Sequence, residues 1–361
     1  MSGDYSRQRF GPFKDYSEVL MQQGRVQLDA DWNELVDIVD RRMRAETVDT
    51  IGLATVPKQT PDGFRIEITG GGAAIGPGRI YVDGLLAENH GKPRNADPRL
   101  DFDSVLAELR GSDPMPYAEQ PYFPNVSNVA PFPTDGGPHL VYLDVWRREV
   151  TYLEDPDLVE KAVGVDSTTR SQTVWQVRVL QDVGAGATCA TPDGDVKGWL
   201  DLVSSSAGRL TTAAVGVPQD DDPCLTPPSG GFRGLENRLY RVEIHDKGAQ
   251  GTATFKWSRD DASVATAVTA IPDLHNLVVA RVGRDAVLRF SAGDWIEITD
   301  DWRELAGEPG VMAHVQDVND ATRTLTLTDS LPAGVFAVNA QGETDSSRHT
   351  RIRRWDQKGQ V

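Results

Sequence analysis

Carboxylates, histidines, glycines and tryptophans are the residues of this chain that could do chemistry, and each group has a spacing to compare with what a known reaction needs. Asp29, Asp31 and Asn33 repeat the alternating oxygens that open a calcium loop. The sixth position of such a loop must be glycine and is Glu34, and the twelfth, Asp40, falls inside a helical pattern, so helix capping accounts for them better. Asp220-Asp221-Asp222 before Pro223, and Asp193 and Asp195 around Gly194, have the composition of solvated turns. Gly70-Gly71-Gly72 follows a strand, as a dinucleotide loop does, but the third glycine is replaced by Ile75, and Pro77 with another strand comes next. No phosphate-loop Gly-Lys-Ser/Thr and no Gly-x-Ser-x-Gly elbow occurs. The six histidines (90, 139, 245, 275, 314, 349) are far apart, with no His-Glu-x-x-His. The expectation is a protein that is not an enzyme, with no catalytic residue, no cofactor and no metal site. Its rival is a glycan reader or cleaver: carboxylates are abundant, and Trp146, Trp175, Trp257, Trp295 and Trp302 lie on strand patterns where they either form a sugar platform or fill a core.

The strongest element is a helix near the N-terminus. Trp32, Leu35, Val36, Val39 and Met43 recur at the spacing of one helical stripe, with Asp37/Arg41 and Asp40/Arg44 as i,i+4 pairs on the other side. The pattern predicts about four turns, started by Asp31 as cap with Glu34 reaching back, and ended by Gly52 and Pro57. Such a stripe must be covered, either by the chain's own β-domain or by another subunit.

Around the helix the chain divides into an aromatic arm and the helix (1–57), an antiparallel β-sandwich body (58–261), a small β-barrel (262–340) and a C-terminal extension (341–361). Alternation marks strands at Phe64–Ile68, Arg79–Gly84, Leu140–Leu153, Thr173–Leu180, Glu236–Ile244, Thr252–Ser258, Val287–Phe290, Gly293–Ile298, Val311–Val318 and Thr324–Leu327. Intervening helical patterns are missing, which excludes a parallel sheet. Within the body, residues 90–138 are proline-rich, with a short helical pattern at Ser104–Arg110. A loop this long has a job: its Tyr117, Tyr122 and Phe123 either contact a neighbouring subunit or form a lid on their own sheet.

With 54 acidic against 37 basic side chains the net charge is −17, which argues against nucleic acid and anionic membranes as partners. No apolar run is long enough to span a bilayer, and the polar N-terminus lacks a secretory hydrophobic region, so cytoplasmic synthesis is expected. Cys189 and Cys224 are then expected as reduced thiols, with a disulfide as the alternative.

Several blocks, taken together, resemble a bacterial family of unknown function associated with phage-tail-like contractile injection systems. They are Leu20-Met-Gln-Gln-Gly-Arg-Val-Gln-Leu-Asp-Ala-Asp-Trp-Asn-Glu34, Tyr142-Leu-Asp-Val-Trp-Arg-Arg-Glu-Val-Thr-Tyr-Leu-Glu-Asp-Pro156, Thr173–Arg178, Glu236–His245 and Thr254–Asp260. The first is also similar to the opening Gly-x-x-Leu-x-Ala-x-Asp-x-Asn of phage tail-fibre and baseplate-periphery proteins. The resemblance implies a structural, oligomeric particle component with other tail or baseplate proteins as partners and no active site. The helix would be its docking element, and the chain would end up incorporated in the particle.

Overall fold

The computed structural model describes residues 3–69, 72–91, 113–123, 132–133, 136–211, 239–285 and 287–357. Two compact units divide the chain. One comprises Met1–Thr134, Val141–Val179 and Arg238–Val361, and the other Asp135–Leu140 and Leu180–Asn237.

The first unit opens with α1 (Asp29–Ile51), longer than the stripe alone predicts. It starts at Asp29 because the preceding Leu28 is extended and its amide donates to Asp31 at 3.3 Å. Asp31 is therefore the third helical residue reaching back, and not the cap. Asp29 accepts from the amide and hydroxyl of Ser6, at 2.9 and 2.6 Å, and the Ser6 hydroxyl holds its carboxyl below the usual carboxylate range. Gly52, at a φ of +92°, ends the helix as expected.

The chain is mainly β after α1. β1 (Ala54–Thr55), β4 (Gly78–Val82) and β5 (Leu85–Asn89) form one antiparallel sheet, and β2 (Ile66–Thr69), β3 (Gly72–Ile75) and β6 (Met115–Pro116) another. β7 (Leu140–Val150) pairs with β10 (Arg170–Leu180), β8 (Val159–Glu160) with β9 (Val165–Asp166), and β11 (Tyr240–Ile244) with β12 (Phe255–Arg259). Among the described residues the strands before residue 260 thus pair in twos and threes; two large facing sheets do not occur among these pairings.

The core of this region gathers Phe64, Ile75, Ala87, Tyr117, Trp175 and Val177, with Val141, Leu143 and Val145 of β7 packed on it. β10 is buried on both sides. Trp175 and Val177 face the core, while Gln176, equally buried, donates to the carbonyls of Tyr122 and Leu305 at 2.5 and 2.9 Å. Its Nε2 is thus satisfied, while its buried Oε1 has no partner among the described residues.

The last part of the unit closes on itself. β13 (Ala265–Asp273), β14 (Asn276–Val279), β17 (Thr324–Leu327), β16 (Val311–Asn319), β15 (Trp295–Thr299) and β18 (Arg351–Trp355) pair in a cycle, each with two neighbours, as a small barrel. Leu277, Val279, Ile296, Ile298, Val315, Leu325 and Ile352 fill it. β18 lies within the stretch that the sequence reads as an extension, and it completes the cycle between β13 and β15. α3 (Asp301–Ala306) follows β15, capped by Asp300, whose carboxylate accepts the Arg303 amide at 3.0 Å.

In the second unit the peptide between Gly137 and Pro138 is cis. The Asp182 amide donates to His139 Nδ1 at 3.2 Å, the Val183 amide to the Pro138 carbonyl at 3.0 Å, and a short helix α2 (Trp199–Val203) follows.

Candidate functional site

The candidate site is a surface, the outer face of α1. On its inner side Ala30 and Ile38 are buried. The Asp40 carboxylate accepts both terminal nitrogens of Arg147, at 2.5 and 2.7 Å, which holds Asp40 below the ordinary carboxylate range. Arg44 donates to the Asp83 carboxylate at 2.7 Å and to the Asp83 carbonyl. These two charges therefore reach off the helix to β7 and the β4–β5 turn, and do not make the i,i+4 pair predicted for them. Close approach needs Gly84, at φ +73°, where a Cβ would lie 2.8 Å from the Arg44 carbonyl oxygen. The N-terminal arm is tied down as well. Arg9 pairs with Asp31 at 2.8 Å, the Gly3 amide donates to Glu149 at 3.1 Å, and the Tyr5 hydroxyl bonds Glu149 and Thr169. Replacing Asp40 with Asn is expected to cost only about 0.2–1 kcal/mol, the range of exposed ion pairs. It should appear as faster amide exchange in α1 with the barrel unchanged; exchange that is faster everywhere would contradict a local anchor.

The outer face is uncovered. Trp32, Val36, Val39 and Met43 are 57, 50, 48 and 63 % exposed, while Leu35 beside them is half-buried. Their spacing of four, three and four residues is the a/d pattern of a coiled-coil seam, narrower than the stripe of a helix lying on its own domain. Of the two coverings expected for the stripe, the chain's own body supplies neither sheet nor loop to these four among the described residues. The preceding segment adds Phe13, Tyr16, Leu20, Met21 and Val26, all exposed. Exposed apolar side chains in such number are the feature that makes this face the candidate site.

The other predicted site residues turn inward. Tyr117 is buried, with ring centroids 5.5 Å from Phe123 and 5.2 Å from Phe132, and Tyr122 stands edge-on to Trp175 at 6.2 Å. The described part of the proline-rich stretch therefore packs on its own core, with Tyr117 buried and Tyr122 and Phe123 half-buried; Ser104–Arg110 lies outside the described residues. Trp175 is core as well, Trp295 stands against His314, and Trp302 lies under the Arg348 guanidinium at 4.1 Å. Cys189 is exposed and free; Cys224 lies outside the described residues.

Sequence reasoning missed a charged cavity of about 450 Å³, bordered by β7, β11, β18 and the turn after α3. Lys256 pairs with Glu297 at 2.5 Å and Glu243 at 3.4 Å in its wall. His245, whose pKa is pushed down by burial and by Lys256, leaves Nδ1 without a partner among the described residues. The buried Arg353 makes no ion pair among the described residues, donates to the Ala262 carbonyl at 2.5 Å, and is pushed down to about 10 by burial and by Arg241 and Arg351. No alternation pattern in the sequence distinguishes such inward charges from solvated ones. Among the described residues no group of His, Cys, Asp and Glu is placed to hold a metal, and no helix is long and apolar enough to cross a membrane.

Fold and surface together define a mainly β protein with an anchored N-terminal helix whose seam is open. The chain matches the model of a family of unknown function (DUF6519) over residues 1–194 and again over 188–361, and it belongs to that family. No curated protein and no solved structure matches it.

Proposed function

We propose that this protein is a structural component of a phage-tail-like contractile injection particle, at the baseplate periphery, fibre or cage, and that it assembles through α1 with copies of itself and with other particle proteins. The observation that carries the reading is the open seam of Trp32, Val36, Val39 and Met43 on a helix whose other side is pinned by Arg147 and Asp83. Each apolar side chain withdrawn from water contributes up to about 1.5–3 kcal/mol before ordering costs, enough to hold a subunit in a multivalent particle. The resemblance of Leu20–Glu34 to tail-fibre openings supports the particle assignment.

Changing Trp32 and Leu35 to Asp is expected to leave the β-structure folded, by circular dichroism, and to stop incorporation into particles assembled from the neighbouring gene products. Normal incorporation of that variant would remove the helix from the assembly, and with it the reading. Glycan recognition keeps one specific observation in its favour, Trp146 and several glutamates on the charged cavity. Glu154, Glu243, Glu297 and Glu304 are all ion-paired there, which suits binding better than acid–base cleavage. A glycan array with no signal at high protein concentration would dispose of that rival.

A further inference from the structure

The β11–β12 ribbon is inverted relative to an ordinary surface hairpin. Tyr240, Val242, Ile244 and Phe255 are 54, 42, 60 and 59 % exposed, whereas Arg241, Glu243, Lys256 and Ser258 point inward. Its two edges also differ. The His245 amide bonds the Thr254 carbonyl at 2.9 Å, so odd-numbered residues of β11 bond β12 and the N–H and C=O of Tyr240, Val242 and Ile244 face away. On β12 the corresponding outward groups are used. The Trp257 amide donates to Gln357, its carbonyl accepts the Asp356 amide, and the Arg259 amide donates to the Asp356 carboxylate, at 3.2, 3.1 and 2.9 Å. On β11 the outward backbone groups of Tyr240, Val242 and Ile244 meet no partner among the described residues. A free edge carrying apolar side chains is a template for another strand.

What would pair with it is written in its own sequence. An antiparallel copy centred on Val242 sets Tyr240 opposite the partner's Ile244 and Val242 opposite the partner's Val242 as hydrogen-bonded pairs. It also sets Arg241 opposite the partner's Glu243, and the reverse, as the closer non-bonded pairs. Opposite charges meet twice and like charges never. A strand one residue out of this register would face its outward backbone groups with inward ones. The cavity strengthens the case. An added strand continues the ribbon over it and brings the partner's Glu243 to the side of Arg241, next to the unpaired guanidinium of Arg353. We propose that β11 pairs antiparallel with β11 of a second copy of this chain about a two-fold axis at Val242, joining two ribbons into one four-stranded sheet. This interface is separate from the α1 seam.

The test uses the full chain carrying the Trp32→Asp and Leu35→Asp changes, so that contacts through α1 do not contribute. Sedimentation is expected to show a monomer–dimer equilibrium. Val242→Pro removes only an outward N–H and leaves the β11–β12 ladder intact; it should weaken the dimer roughly tenfold or more. Arg241→Glu and Glu243→Arg should each abolish it, and mixing the two should restore a heterodimer. Because both residues sit in an ion cluster, a second measurement stands apart from their folding. With Cys189→Ser and Cys224→Ser, Val242→Cys should crosslink to itself with a short bis-maleimide, which alkylates one thiol of each copy. Tyr240→Cys should not, since its copies lie about 14 Å apart in this register. A monomer at all concentrations, a dimer indifferent to Val242→Pro, or equal crosslinking at both positions overturns the pairing.

Discussion

Arg351→Ala is expected to lower the stability of the first unit by about 3–5 kcal/mol, the cost of removing one partner from a buried ion cluster. The Arg351 guanidinium is nearly inaccessible and serves three carboxylates at once. Its Nε pairs with Glu154 at 2.9 Å, one terminal nitrogen pairs with Asp301 at 2.8 Å, and the other bonds Glu304. Burial pulls its pKa down, and Glu154, Glu304 and Asp301 together more than offset that, so the group stays charged. Glu154 in turn accepts the amide and hydroxyl of Thr151 at 2.7 and 2.6 Å. The cluster therefore ties β18 of the barrel to α3 and to the turn after β7. Alanine would leave the carboxylates with Arg148, 3.8 Å from Asp301 and 4.0 Å from Glu304, and with His349 Nδ1, 2.8 Å from Asp301, to compensate. Arg351→Lys should fall between, keeping the charge and losing the planar fork. Urea unfolding measures both, and a loss below about 1 kcal/mol for the alanine variant would show that Arg148 takes over the carboxylates.

That strand shows why part of the fold was hidden in the sequence. Arg351-Ile-Arg-Arg-Trp355 falls within what the sequence reads as an extension because its neutralising carboxylates lie far away in the chain, at Glu154, Asp301 and Glu304. Burial of Arg351 and Arg353 depends on those partners or on carbonyls such as that of Ala262, which no local pattern displays. α1, by contrast, was legible, since the spacing of Trp32, Leu35, Val36, Val39 and Met43 is a local property. Its anchoring was not: Asp40 and Arg44 had helical neighbours of opposite charge within reach, and the bidentate Arg147 and the Asp83 turn outcompeted them. Strand alternation carries a period without a sign. For β10 the alternation puts Trp175 and Val177 on one face, and the structure turns that face to the core. For β11 the same alternation conceals that the charged side faces the body, because Lys256, itself paired with Glu297, pairs Glu243 there.

Asp261 is expected to make the protein less stable as pH rises. It lies in the turn after β12, 4 % exposed, with its Oδ2 lacking a partner among the described residues. Burial pushes its carboxyl up to about 6; Arg241 and Arg353 oppose that, and Glu149 adds to it. A carboxyl whose folded pKa exceeds its unfolded value near 3.8 is a cost fully present above the folded pKa, and it disappears as pH falls below the unfolded one. Between about pH 4 and pH 6 the folded state holds the proton that the unfolded state has released, so stability declines through that window and is level above it. Asp261→Asn removes the charge and keeps the shape, and asparagine tolerates the φ of +54° found there. The variant should be more stable than the parent by about 1–3 kcal/mol at pH 7.5, an advantage that shrinks to nothing near pH 4. Thermal unfolding across that range checks both the sign and the window. An asparagine variant less stable at pH 7.5 would mean that attraction to Arg241 and Arg353 outweighs burial, and that the carboxylate belongs to the ion network of the cavity.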